Sequence, residues 1–163
     1  MKVIEQLERL SEPRFLEIYE SLAQNGFGPL DGEVAKLMKF RPQAIRKLAM
    51  PARAKKARAI LMGRRHAELC YELFGTYLLK HRKELVTGFL DATGVRHEDG
   101  MLEDLDHNRP DPAKVEAAVA DLDARFDPED VTLYLALCAE QWPMLPELEA
   151  LWRSRLERTA PKG

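Results

Sequence analysis

The residues best suited to chemistry in this chain are the lysines and arginines between positions 34 and 67. That segment holds eleven basic residues and no acidic one, although the net charge of the whole chain is −2. Cationic side chains at this density bind polyanions, above all the phosphates of nucleic acids. Residues 98–150 hold three basic and fifteen acidic side chains. The segregation is therefore also consistent with an internal pairing of basic and acidic segments, and both interpretations stay open.

Within the basic segment, residues 33–48 (EVAKLMKFRPQAIRKL) have the pattern of two short helices around a turn. Ala35 supplies a small residue between the helices, and Phe40 stands at the buried position of the turn. Pro42 is suited to the start of the second helix, on which Ile45 and Leu48 form the packed face. This hairpin resembles the helix-turn-helix of bacterial DNA-binding domains.

The resemblance implies that the second helix would read DNA. Gln43, Arg46 and Lys47 would then project toward base edges and phosphates. Contacts with backbone phosphates are expected from Lys36, Lys39, Arg41, Arg53, Lys55, Lys56, Arg58, Arg64 and Arg65. However, the basic residues from 53 to 65 wind around their helix, so they do not form one clean stripe.

Other chemistry finds less support in the sequence. His66 and Cys70 are four residues apart on one helix face, which is a zinc-ligand spacing, but no second pair with comparable spacing follows. The acidic stretch around Asp99 and Asp104 lacks the alternation of an EF-hand loop. There is no nucleophile motif and no glycine-rich phosphate loop. We therefore expect no catalytic residue, no metal and no cofactor, and an enzyme is not favoured.

Composition predicts the elements that position these residues. Leucine and alanine number 43, whereas valine and isoleucine number 11, and this ratio favours helix over sheet. We predict an all-α fold of about seven to nine helices, as a single domain over residues 1–158 with a disordered tail at 159–163. Its centre would be one continuous helix over residues 67–93, ended by Gly94.

Helix starts are predicted from caps followed by proline. Ser11 would begin a helix reaching to about residue 24, with Phe15, Ile18, Tyr19 and Leu22 inward. A basic helix from residue 52 would break near Gly63.

Farther along the chain, Asp99 would cap a short helix containing Met101 and Leu102. Asp111 and Asp127 would open helices over 112–125 and 128–142, and Pro146 would open a last one. No strand or hairpin is expected.

An internal repeat is also indicated. Residues 22–42 align with residues 90–110 without a gap, with identities that include Gly26 with Gly94 and Gly32 with Gly100. We interpret it as a duplicated helical unit, with chance reuse of helix caps as the alternative. The second copy is acidic where the first is basic, which weighs against a scaffold built to read DNA.

The remaining features concern location and partners. Cys70 and Cys138 lie in apolar helical patterns and are expected to be buried thiols. No apolar run is long enough to cross a membrane, so no membrane partner is expected and the cytoplasm is the expected compartment. We predict a non-catalytic binding protein that contacts DNA or RNA through residues 34–67. The alternative is a helical interaction module, either an adaptor or a homodimer subunit.

Overall fold

The computed structural model describes residues 2–23, 32–33, 35–36, 44–45, 47–104 and 107–159, apart from the side chains of Arg64 and Thr159. The chain divides into two compact units, Met1–Tyr77 (unit 1) and Leu78–Gly163 (unit 2). The described residues are mostly helical, as the composition predicted. No helix among them is both long enough and apolar enough to span a bilayer.

Unit 1 is built from helices α1 (Lys2–Arg9), α2 (Glu12–Ala23) and α3 (Met50–Leu61), a 3₁₀ turn (Arg64–His66) and most of α4 (Ala67–His81). The predicted cap of α2 is confirmed, because the backbone N–H of Arg14 donates to Ser11 Oγ at 3.2 Å. The four predicted inward residues are buried. The break at Gly63 is also present, since its extended backbone precedes the 3₁₀ turn.

The predicted continuous helix over 67–93 is wrong. The chain instead forms α4 and then α5 (Lys83–Ala92), and Arg82 between them has φ −136° and ψ 38°. The Arg82 guanidinium pairs with the buried carboxylate of Asp130 at 2.8 Å. A buried carboxylate needs such a partner, and the contact holds Arg82 at the interruption. The predicted cap at Gly94 is confirmed: φ is +78°, and the N–H of Val95 donates to the carbonyl of Leu90.

The predicted helix at Asp99 is also wrong, because a β-hairpin stands there. Strands β1 (His97–Glu98) and β2 (Met101–Leu102) pair antiparallel, with Glu98 opposite Met101. The connecting residues Asp99 and Gly100 have φ +56° and +91°. Two positive φ angles in a two-residue connection define a type I′ turn, for which Asp-Gly is a preferred sequence. The Asp-Gly pair at positions 99 and 100 is therefore a sequence signal for this turn.

The proposed duplication is not confirmed. Residues 32–33 and 35–36 are helical, whereas their counterparts, residues 100–101 and 103–104, belong to the hairpin and the loop after it. Most of the first copy lies outside the described residues.

The hairpin belongs to a loop that closes on itself between Thr93 and Asp111. The N–H of Asp111 donates to the carbonyl of Thr93 at 2.9 Å. Inside the loop, the buried Asn108 side chain accepts from the N–H of Arg96 and donates to the carbonyls of Arg96 and Glu103. The backbone carbonyl of Asn108 accepts from the indole N–H of Trp142. These bonds satisfy every polar atom of the Asn108 side chain and fix the base of the hairpin.

Unit 2 is completed by α6 (Pro112–Arg125), α7 (Pro128–Gln141) and α8 (Pro146–Thr159). The predicted caps are confirmed, because Asp111 Oδ1 and Asp127 Oδ1 accept from backbone N–H groups at 3.0 and 2.8 Å. Helix α7 is buried continuously from Asp130 to Ala139, so it is a core helix as predicted. One edge-to-face contact joins the Phe89 and Tyr134 rings, whose centroids are 5.4 Å apart.

Candidate nucleic-acid interface

Helix α3 carries the central part of the basic segment. Its first turn contains Pro51, whose missing N–H costs nothing at a helix start, and Ala49 precedes it as the N-cap residue. Ala54, Ala57 and Leu61 form the buried face of the helix against α2. The position of this buried face around the helix determines which cations of the segment point outward.

Two of the arginines on α3 are used inside unit 1. Arg53 is buried, and its guanidinium carbon lies 5.5 Å from the centroid of the Tyr19 ring, a cation–π geometry. Arg58 is half-buried; one of its terminal nitrogens donates to the carbonyl of Leu7 at 3.1 Å and also to that of Leu10. Those carbonyls belong to the C-terminal end of α1, where a cation is favourable. The Arg53 guanidinium is thus enclosed within unit 1, and that of Arg58 is engaged with backbone carbonyls.

The other residues predicted to contact nucleic acid fall into two groups. Lys39, Arg41, Gln43 and Arg46 lie outside the described residues, and so does the side chain of Arg64. The helix-turn-helix resemblance therefore cannot be compared with the structure over most of its length.

The second group consists of Lys36, Lys47, Lys55, Lys56 and Arg65, which we call the outer cations. All are exposed except Lys56, which is half-buried. Within the described part of the chain, none of the five forms an ion pair with a carboxylate. Within unit 1, no described carboxylate therefore pairs with any of these five side chains.

A shallow apolar groove lies between the N-terminal parts of α2 and α3, and Lys55 is the outer cation that lines it. Its volume is about 440 Å³, and Pro13, Leu16, Pro51 and Ala52 contribute to its walls. Lys55 and Arg58 stand along the α3 side, and Glu12 stands on the α2 side. The sequence reasoning missed this groove. Its signal was the proline near the start of each helix, together with the small side chains of Ala52 and Ala54 after the second proline, which leave space where two helices approach.

The two cysteines are unsuited to nucleophilic or metal chemistry. Both are free and buried, as predicted, and burial raises the pKa of each thiol to about 12. Cys70 Sγ lies 3.8 Å from the carbonyl of Val3, so the neutral thiol donates weakly to backbone. No cluster of three or more potential ligand side chains occurs among the residues that the structure describes.

Comparison with known proteins provides no further guide to function. The chain matches no protein family, no curated protein and no solved structure. Functional inference therefore depends on the geometry of the two units.

Proposed function

We propose that this protein is a non-catalytic binding module that holds a nucleic acid by its phosphates, through the outer cations of unit 1. The observation that supports the proposal is that none of these five side chains forms an ion pair with a described carboxylate of unit 1, in a segment that contains no acid. A surface of unneutralised ammonium and guanidinium groups attracts counterions, and a polyanion gains free energy by displacing them.

The expected mode of binding is weak and largely independent of sequence. Lysine ammonium groups act as point charges toward phosphate oxygens and carry no base information. The five outer cations include four lysines. A base-reading contribution would have to come from Gln43 and Arg46, as the helix-turn-helix resemblance implies.

A titration of labelled random duplex by fluorescence anisotropy, at 20–200 mM salt, tests the proposal. With about five phosphates neutralised, log Kobs should fall with log salt with a slope of roughly −4 to −5. Lys47→Glu combined with Arg65→Glu should reduce the slope by about 2. Lys47 and Arg65 are exposed, so stability should be unaffected.

The matched control reverses one exposed lysine elsewhere. Lys114 is exposed on α6 in unit 2, so Lys114→Glu changes the net charge by the same amount as Lys47→Glu. The control should lose no more than twofold in affinity. An absence of binding at 20 mM salt, or equal losses in Lys47→Glu and Lys114→Glu, would overturn the proposal.

A further inference from the structure

The groove of unit 1 and the hairpin of unit 2 have complementary chemistry. The groove combines an apolar surface, which includes Leu16, with a cationic side formed by Lys55 and Arg58, and Glu12 lies on the opposite side. Lys55 is exposed and has no ion pair among the described residues. An occupant that fits this surface would present an apolar side chain with a carboxylate next to it.

The hairpin presents that combination at its tip. Met101 is 62% exposed, the most exposed of the large apolar side chains in the described chain. It stands directly opposite Glu98 in the strand pair, so the two side chains lie on the same face about 5 Å apart. Asp99 at the turn, which pairs with Lys83, and Glu103 and Asp104 just after the hairpin are also exposed.

The hairpin is also held rigidly, which lowers the entropy lost on binding. Asp99 pairs with Lys83 on α5, and His97 Nε2 lies 2.6 Å from Asp91 Oδ1. His97 Nδ1 accepts from the N–H of Gly100. These contacts join the hairpin to α5 and favour the conformation that displays Met101.

We propose that the occupant of the groove is the hairpin of a second copy of this chain. Met101 would enter the apolar groove, and Glu98 would face Lys55. Methionine is suited to this role because its flexible thioether adapts to an irregular apolar surface. Each chain carries both the groove and the hairpin, so the contact either closes into a symmetric dimer or continues as a chain of protomers. This proposal does not require nucleic-acid binding, although Lys55 belongs to both the groove and the outer cations.

Sedimentation velocity of the full chain over 1–500 µM, at 50 and 500 mM salt, measures the self-association. We expect a concentration-dependent dimer or larger species that weakens at the higher salt. Met101→Ala should weaken the association at least tenfold. Met144→Ala is the matched control, because Met144 is 51% exposed and lies between α7 and α8; it should change nothing.

Charge exchange identifies the surfaces involved. Lys55→Glu and Glu98→Lys should each abolish self-association, and an equimolar mixture of the two variants should restore it. Circular dichroism of each variant should match that of the parent chain, because both positions are exposed.

Three results would overturn the proposal: a monomer at 500 µM and 50 mM salt, equal effects of Met101→Ala and Met144→Ala, or no restoration in the mixture. Met101→Ala should leave the affinity for duplex unchanged, and an absence of duplex binding would leave the self-association intact. Failure of one proposal is thus distinguishable from failure of the other.

Discussion

Arg155 is the buried cation on which the packing of unit 2 most depends, and replacing it by methionine should destabilise this unit strongly. The Arg155 side chain is 8% exposed. Its terminal nitrogens donate to the two carboxylate oxygens of Asp123 at 2.6 and 2.8 Å, and one of them also donates to the carbonyl of Pro128. Nε donates to Thr132 Oγ1 at 2.8 Å. One guanidinium on α8 thus joins α6 to the first turn of α7.

The magnitude follows from what the substitution leaves behind. Removing one partner of a buried ion pair costs about 3–5 kcal/mol. The Asp123 side chain is 36% exposed and regains water, which lowers that cost. Thr132 Oγ1 keeps its own bond to the carbonyl of Pro128 at 2.7 Å, and methionine retains the packing of the aliphatic stem. We therefore expect Arg155→Met to lower the free energy of unfolding by about 2–3 kcal/mol.

Tryptophan fluorescence during urea unfolding measures this loss. The chain has two tryptophans, Trp142 and Trp152, and both are buried in unit 2, so the signal reports the unit that is perturbed. At an m value of about 2 kcal/mol/M, the midpoint should fall by roughly 1 M urea or more.

A control on the same helix and a double-mutant cycle separate the buried ion pair from general effects of the substitution. Arg153 pairs with Glu149 at 3.0 Å on the exposed side of α8, so Arg153→Met should cost less than about 1 kcal/mol. Asp123→Asn combined with Arg155→Met should show a coupling energy of at least about 1 kcal/mol. Equal losses in the two methionine variants, or a coupling energy near zero, would refute the reasoning.

Three further predictions concern the loop and the thiols. Gly100→Ala should cost about 2–3 kcal/mol, because Gly100 has φ +91° and a Cβ there would lie 2.9 Å from Leu79 Cδ2. Gly94→Ala should cost about 1 kcal/mol, because a Cβ at Gly94 would have nothing within 4 Å. The midpoints of urea unfolding compare the two variants. Asn108→Ala removes three side-chain hydrogen bonds, so it should cost about 2–4 kcal/mol of stability. It should also speed hydrogen exchange of the Arg96 amide, which donates to the Asn108 side chain. Cys70 and Cys138, with pKa values raised from 9.0 to about 12, should resist iodoacetamide at pH 8 until urea unfolds the chain. Between pH 9 and about pH 12 only the folded chain keeps these thiols protonated, so stability should fall in that window by about 1.4 kcal/mol per pH unit for each thiol and show no such dependence below pH 9.

Local signals in the sequence account for much of the fold. Ser11, Asp111 and Asp127 are predictable as helix caps, because a short oxygen-bearing side chain shortly before proline is typical of a helix start. Each of them accepts a hydrogen bond from a backbone N–H. The interruption at Arg82 was not predictable in this way. It depends on Asp130, which is 48 residues away in sequence, and helix propensity carries no information about such a contact.

The candidate site was predictable only in part. Counting cations located the basic segment, but the count includes Arg53 and Arg58, which are used inside unit 1. The apolar face of α3, set by Ala54, Ala57 and Leu61, could have shown that Arg53 lies at its border. The use of Arg58 could not have been foreseen, because its acceptors are backbone carbonyls of another helix.

The bond from Arg58 to the end of α1 also bears on how the chain is made. An eight-residue helix is marginal by itself in water, and the side chain that caps it is 48 residues beyond Leu10. At about 5–20 residues per second, a ribosome adds those residues in roughly 2–10 s. During this interval the carbonyls of Leu7 and Leu10 lack the guanidinium that donates to them in the folded unit. The C-terminal end of α1 therefore gains its cationic cap only after α3 has been synthesised.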